Sequence, residues 1–150
     1  MSVQSDLKRL RRYFFPRVIV RRRVRSRKPT VATKRRFAEH KEAARALVHA
    51  RLVYFNLHYG LIYKRVTIRA QRSRWGSCSK KGNLNFNFAL LFLPPELCDA
   101  VIVHELCHLK EFNHSKAFWK LVGETIPDYA ERKRKLARTH PDLMKPLPIK

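Results

Sequence analysis

The sequence contains little glycine, little cysteine and few acidic residues, and each shortage narrows the class of protein. Four glycines and eight prolines among 150 residues, with 45% hydrophobic residues, argue against a fibrous or disordered chain and favour a globular one. The three cysteines, Cys78, Cys98 and Cys107, form no paired framework, which predicts small buried thiols and a reducing, cytoplasmic compartment. No apolar run is long enough to span a membrane, and the early apolar stretch 13–20 is too interrupted for a secretory signal.

The shortage of acidic residues leaves a strongly basic chain. Its 34 Lys and Arg against 11 Asp and Glu give a net charge of +23, which predicts attraction to polyanions that weakens as salt rises. Residues 1–36 contain 14 of the basic residues and a single acid, and we predict that they form a flexible basic arm. The candidate polyanion contacts in its densest block are Arg21, Arg22, Arg23, Arg25, Arg27 and Lys28. A solvated tail or an anionic lipid surface would explain the same charges.

The remaining chain is predicted to be one domain, residues 37–139, followed by an irregular tail, residues 140–150. Its periodicity indicates helices and strands together, which is an α+β fold. The predicted helices are 34–58, a helix opened by Pro94 and Pro95, 115–124 capped by Ser115, and 127–139. The predicted strands are 61–70 and 84–88, the second preceded by a hairpin turn over 79–82.

The most informative motif is His104-Glu105-Leu106-Cys107-His108, an HExxH sequence on an otherwise apolar helix. Histidines four residues apart lie on one helical face and can hold one zinc ion, with Glu105 beside the metal. A zinc-bound water has a pKa near 7, so Glu105 can deprotonate it for the hydrolysis of an amide bond. The alternative is a chance motif of two core histidines, which would be costly to bury without a purpose.

A catalytic zinc site usually needs a third protein ligand. His114 is the nearest candidate, but on a continuous helix it would lie about 15 Å beyond His104. The helix must therefore break between Leu109 and His114, and Asn113 is the natural place for the break. This spacing is also that of metzincin proteases, although Glu111 stands where they have glycine. Carboxylates from later helices, Glu124 and Asp128, are the rival third ligands.

Several further motifs surround HExxH between about residues 60 and 135. They are Arg74-Trp75-Gly76-Ser77-Cys78, Gly82-Asn83-Leu84, Pro94-Pro95, Asn113-His114-Ser115 with Phe118-Trp119, and Pro127-Asp128-Tyr129. With this combination the chain resembles the YgjP-like metallopeptidases, zinc-dependent proteins related to the SprT-like proteases. The resemblance implies a zincin-like fold in which a small β-sheet packs against the HExxH helix and flanking helices. It also implies one zinc ion on His104, His108 and His114, with Glu105 as general base.

The resemblance suggests candidate substrate contacts as well. Arg74 and Trp75 belong to a signature motif of the family, and Tyr129 could stabilise an oxyanion. Each also has a structural explanation, such as a Trp packed on the sheet or a tyrosine that anchors a closing helix. Before its core the family has a β-rich portion and a helix, whereas this chain has the helix and an arginine-rich arm.

These observations predict a zinc metallopeptidase whose protein or peptide substrate pairs with an exposed strand, residues 84–88. The alternative is a nucleic-acid or polyanion-binding protein in which zinc is structural or vestigial. The two hypotheses are compatible as parts of one function, because related SprT-like proteases act on proteins attached to DNA. The oligomeric state is left open.

Overall fold

The computed structural model describes residues 31–71 and 73–143, with side chains described as far as residue 139. Helices surround a small mixed sheet, so the predicted α+β class is confirmed. The elements are α1 (Val31–Tyr59), β1 (Arg65–Arg69), β2 (Gly76–Cys78), β3 (Asn83–Asn87), a 3-10 helix (Phe88–Phe92), α2 (Pro95–Cys107), α3 (Lys116–Gly123) and α4 (Tyr129–Leu143). No helix in these ranges is long and apolar enough to cross a membrane.

Helix α1 packs against the 3-10 helix, α2 and β1. It buries Ala44, Val48, Leu52 and Phe55, which follow one another at helical spacing and belong to the predicted apolar stripe. The helix begins at Val31, earlier than the predicted residue 34, and so includes the end of the stretch assigned to the basic arm. The six predicted polyanion contacts of the arm lie outside the described residues.

The sheet has the strand order β1-β3-β2. Strand β3 pairs in parallel with β1 and antiparallel with β2, and the predicted turn between β2 and β3 is confirmed. Gly82 has a φ of 78°, a left-handed conformation that favours glycine, and its N–H donates to the Ser79 carbonyl at 2.9 Å. Because β3 has a partner on each edge, the prediction that this strand is exposed for substrate is wrong. The edge strands of the sheet are β1 and β2.

Asn87 also departs from the predicted pattern, in which it shared the polar side of the strand with Asn85. Its side chain is fully buried, and its amide nitrogen donates to the carbonyls of Gln71 at 2.6 Å and Arg74 at 3.0 Å. Its side-chain oxygen accepts from the Ala89 N–H at 3.1 Å and caps the 3-10 helix. Asn87 therefore ends β3 and holds the loop that leads into β2.

Helix α2 is buried along most of its length, from Leu97 to Cys107. Arg51 of α1 holds it through two hydrogen bonds of 2.7 Å to the carboxylate of Asp99. The helix ends at Cys107, earlier than the predicted break at Asn113, and a turn over residues 108–110 follows. This early end redirects the chain soon enough to return His114 towards α2.

The two closing helices fit their predicted starts closely. The side chain of Ser115 caps α3 by accepting from the Phe118 N–H at 3.3 Å, as predicted. Helix α4 begins at Tyr129 and continues to Leu143. The prediction of an irregular tail is therefore wrong for residues 140–143, which are helical.

Candidate metal centre

Three histidines converge at the end of α2. The Nε2 atom of His104 lies 3.1 Å from the Nε2 atom of His108 and 3.2 Å from that of His114. Helical spacing brings the first two together, and the turn after Cys107 brings the third. Within the described ranges, these three side chains form a group that could hold a metal ion, with one nitrogen from each within 4.8 Å of the others.

The outer ring nitrogens of two of these histidines are engaged away from the centre. The Nδ1 atom of His108 lies 2.9 Å from the backbone carbonyl of Glu111. A carbonyl only accepts, so Nδ1 of His108 carries the proton and Nε2 is left with its lone pair. The Nδ1 atom of His104 lies 2.7 Å from the hydroxyl of Tyr129, a buried residue at the start of α4. Such partners fix the ring orientation and tautomer of metal-binding histidines.

Helix α3 supplies the aromatic walls of the centre. The ring of Phe118 stacks on His108 with centroids 4.5 Å apart, and the ring of Trp119 stacks on His114 at 5.4 Å. The ammonium of Lys133, which is only 5% exposed, lies 5.1 Å from the centroid of Trp119. These contacts restrict the rotamers of the histidines and exclude water from their sides.

The electrostatics of the centre favour neutral imidazoles. Burial lowers the pKa of His104 well below its ordinary value, and the charges of the other two histidines and of Lys133 lower it further. Burial likewise lowers the pKa of His108, and it lowers the pKa of His114 to about 4. Neutral imidazole is the form that binds a metal.

Glu105 lies beside the histidines and faces β2. Its side chain is 8% exposed, and burial raises its pKa to about 8, while the charge of Arg74 acts to lower that pKa. Gly76 of β2 is packed so closely on Glu105 that a Cβ atom added there would lie 2.6 Å from Cγ of Glu105. The glycine of the Arg74-Trp75-Gly76 motif thus makes room for the glutamate.

The other predicted site residues lie in different settings. Glu124 pairs with His58 at 3.0 Å and Asp128 pairs with Arg132 at 2.9 Å, and neither belongs to the histidine group. Trp75 is buried in the core, and Arg74 is exposed at the entrance to β2. Substrate contacts by Arg74, Trp75 and Tyr129 stay predictions, although the hydroxyl of Tyr129 is engaged with His104.

Sequence reasoning missed two features of the centre. It assigned no role to Lys133, although this residue lies one helical turn after Tyr129 and therefore on the same face of α4. It included Gly76 as a member of the Arg74-to-Cys78 motif, whereas the structure packs this glycine against Glu105 in a strand. The signal for Lys133 was its spacing from Tyr129, whereas the contact at Gly76 joins segments that are distant in sequence.

Comparison with known proteins agrees with this geometry. The sequence matches the YgjP-like metallopeptidase domain over residues 16–139. The crystal structure of the metallopeptidase zymogen abylysin from Pyrococcus abyssi is similar, with a TM-score of 0.55 and 28% sequence identity. That similarity covers 61% of this chain and 93% of the abylysin chain. No curated protein sequence matches.

The match spans most of the chain and includes both the HExxH helix and His114. Together with the structural similarity to a metallopeptidase, it supports a metal-dependent peptidase and therefore a peptide substrate. The resemblance inferred from short motifs is confirmed: the chain belongs to the YgjP-like metallopeptidase domain family.

Proposed function

We propose that this protein is a zinc peptidase in which His104, His108 and His114 hold one zinc ion and Glu105 is the general base. The observation that carries the proposal is the convergence of three imidazole nitrogens, from two buried histidines and the half-buried His114, next to a buried carboxylate. Three protein ligands leave a fourth position for water or substrate, as in catalytic zinc sites.

The histidines fit zinc in number, type and spacing. A tetrahedral site with Zn–N bonds of about 2.0–2.1 Å separates its ligand atoms by about 3.4 Å. The Nε2 atom of His104 lies 3.1 Å from that of His108 and 3.2 Å from that of His114, close to that value. When bound, zinc would polarise the substrate carbonyl and lower the pKa of a water molecule.

Glu105 is placed to move protons during hydrolysis. It is not part of the histidine group, so its carboxylate can accept a proton from the attacking water and pass it to the leaving amine. Burial makes this carboxylate more basic than an exposed one, and the nearby charge of Arg74 favours its ionised form. These opposing effects suit a group that must both accept and donate a proton.

Strand β2 is the best place for an extended substrate. It pairs with β3 on one side, and within the described residues no strand pairs with its other edge. Gly76 of β2 lies against Glu105, so a peptide that adds to this edge would run past the general base. This arrangement replaces the predicted role of strand 84–88.

The substitution Glu105→Gln tests the proposal, because it keeps the shape of the side chain and removes its basicity. We expect stoichiometric zinc and a loss of peptide hydrolysis of at least about 100-fold. His114→Ala should lose zinc, whereas Glu124→Ala and Asp128→Ala should keep it. Wild-type turnover by Glu105→Gln, or full zinc in His114→Ala, would contradict the assignment of roles.

Polyanion binding by the basic arm completes the proposal and rests on the net charge of +23. A full-length variant with Gln at the six basic positions between residues 21 and 28 should bind DNA more weakly and with a shallower salt dependence. Unchanged binding would show that the arm does not bind polyanions.

The three cysteines are free, which suits a cytoplasmic location.

A further inference from the structure

A groove with a volume of about 270 Å³ lies between the hairpin turn before β3 and the chain that follows α2. The residues that line it are Ile62, Lys64, Lys80, Lys81, Gly82, Leu109 and Phe112. Three of these seven residues are lysines and none is acidic. The groove therefore offers positive charge together with apolar side chains.

The apolar part of the groove is open to water. Ile62 is 89% exposed and Phe112 is 43% exposed, although both are large hydrophobic residues. Lys64, Lys80 and Lys81 are exposed around them. A ligand with carboxylates and apolar side chains would cover the hydrophobic surface and neutralise the lysines at the same time.

Both walls of the groove are connected through the chain to residues of the proposed peptidase site. On one wall, β2 runs from Gly76 beside Glu105 to Cys78, and the turn that carries Lys80 and Lys81 follows directly. On the other wall, Leu109 and Phe112 belong to the segment between His108 and His114. Because a strand advances about 3.3 Å per residue, a peptide on β2 would reach the groove within a few residues.

We propose that this groove binds an acidic, partly apolar stretch of the peptide substrate, a few residues from the bond that is cleaved. The inference rests on the proposed peptidase function, because that function places a peptide along β2. The expected substrates are peptides with Asp or Glu and a hydrophobic residue on one side of the scissile bond.

Charge argues against two other occupants. The basic arm, with 14 basic residues and one acid, and a second copy of this chain, at +23, would both be repelled by the lysines. A nucleic acid would pair with the lysines and stack on Phe112, but it would leave the aliphatic side chains of Ile62 and Leu109 without an apolar partner. An acidic peptide satisfies both the charged and the apolar parts of the groove.

The test uses the full-length zinc-loaded Glu105→Gln protein and two fluorescent peptides that differ only in Glu or Lys beside a leucine. The double substitution Lys80→Glu/Lys81→Glu should weaken binding of the Glu peptide about tenfold, the size expected when two exposed attractions become repulsions. It should also strengthen binding of the Lys peptide. Ile62→Ser should weaken binding of both peptides without a change in charge.

A matched control separates the groove from the general charge of the protein. Lys34→Glu/Arg35→Glu makes the same change in net charge on α1, at exposed positions that do not line the groove. It should leave both affinities within about twofold. An equal loss in this control, or an unchanged preference in Lys80→Glu/Lys81→Glu, would overturn the proposal. An oligonucleotide that loses binding in the groove variant while the Glu peptide does not would also overturn it.

A second measurement keeps the groove distinct from the peptidase proposal. In the protein that retains Glu105, kcat/KM for a fluorescence-quenched peptide with Glu should exceed kcat/KM for the matching peptide with Lys. Lys80→Glu/Lys81→Glu should reverse this order. Hydrolysis with no such preference would refute the binding of acidic peptides in the groove, and it would still agree with the proposed peptidase function. Preferential binding without hydrolysis of any peptide would instead contradict the peptidase function.

Discussion

The contact between Gly76 and Glu105 makes a sharp prediction for the substitution Gly76→Ala. The new methyl group would lie 2.6 Å from Cγ, 3.0 Å from Oε1 and 3.1 Å from Cδ of Glu105. Ordinary contacts begin at 3.4 Å, so the glutamate must retreat by about 0.8 Å. Glu105 is 8% exposed and belongs to the buried helix α2, and therefore its side chain has little room to move.

A displacement of this size should act on turnover. A misplacement of about 1 Å in a catalytic group can cost about 100-fold, and we expect kcat for peptide hydrolysis to fall by that amount. The overpacking should cost about 1–3 kcal/mol in the free energy of unfolding. Zinc affinity should change by less than about threefold, because the methyl group does not contact a histidine.

The assay is peptide turnover at saturating substrate, with zinc content and urea unfolding measured on the same preparations. Gly123→Ala is the matched control, because a Cβ there has no neighbour within 4 Å. It should keep full activity and gain up to about 1 kcal/mol in stability. Wild-type kcat in a folded, zinc-loaded Gly76→Ala protein would refute the idea that the position of Glu105 limits the reaction.

Three further predictions rest on separate contacts. Tyr129→Phe keeps the ring but removes the hydroxyl 2.7 Å from His104, so zinc affinity should fall about 10–100-fold in a chelator competition. Unchanged affinity would show that the Tyr129 hydroxyl does not orient His104 for the metal. Burial raises the pKa of Cys78 to about 11, so at pH 8 only about 0.1% of this thiol is ionised to thiolate. Cys78 in the native protein should therefore react with a thiol reagent about 100-fold more slowly than a free cysteine. Equal rates in native and urea-unfolded protein would contradict that burial. Asn87→Ala removes the three side-chain hydrogen bonds described above and should lower the free energy of unfolding by about 3 kcal/mol in urea titrations. A loss below about 1 kcal/mol would show that the loop before β2 does not depend on these bonds.

The sequence was informative wherever the relevant interactions are local. The apolar stripe of α1, the proline at the start of α2 and the Ser115 cap of α3 depend on residues within a few positions of each other. The pairing of His104 with His108 follows from helical geometry alone. Even the turn that returns His114 could be inferred, because a continuous helix would separate it too far from His104.

Tertiary structure decided which segments lie next to one another. Alternating side chains identified the buried face of β3 but could not show that β1 and β2 occupy both of its edges, and so a central strand was predicted to be exposed. The same holds for Gly76 against Glu105 and for Tyr129 against His104, which join separate elements. Periodicity in a sequence reports which side of a helix or strand is buried, whereas the identity of the neighbour that covers it depends on long-range packing.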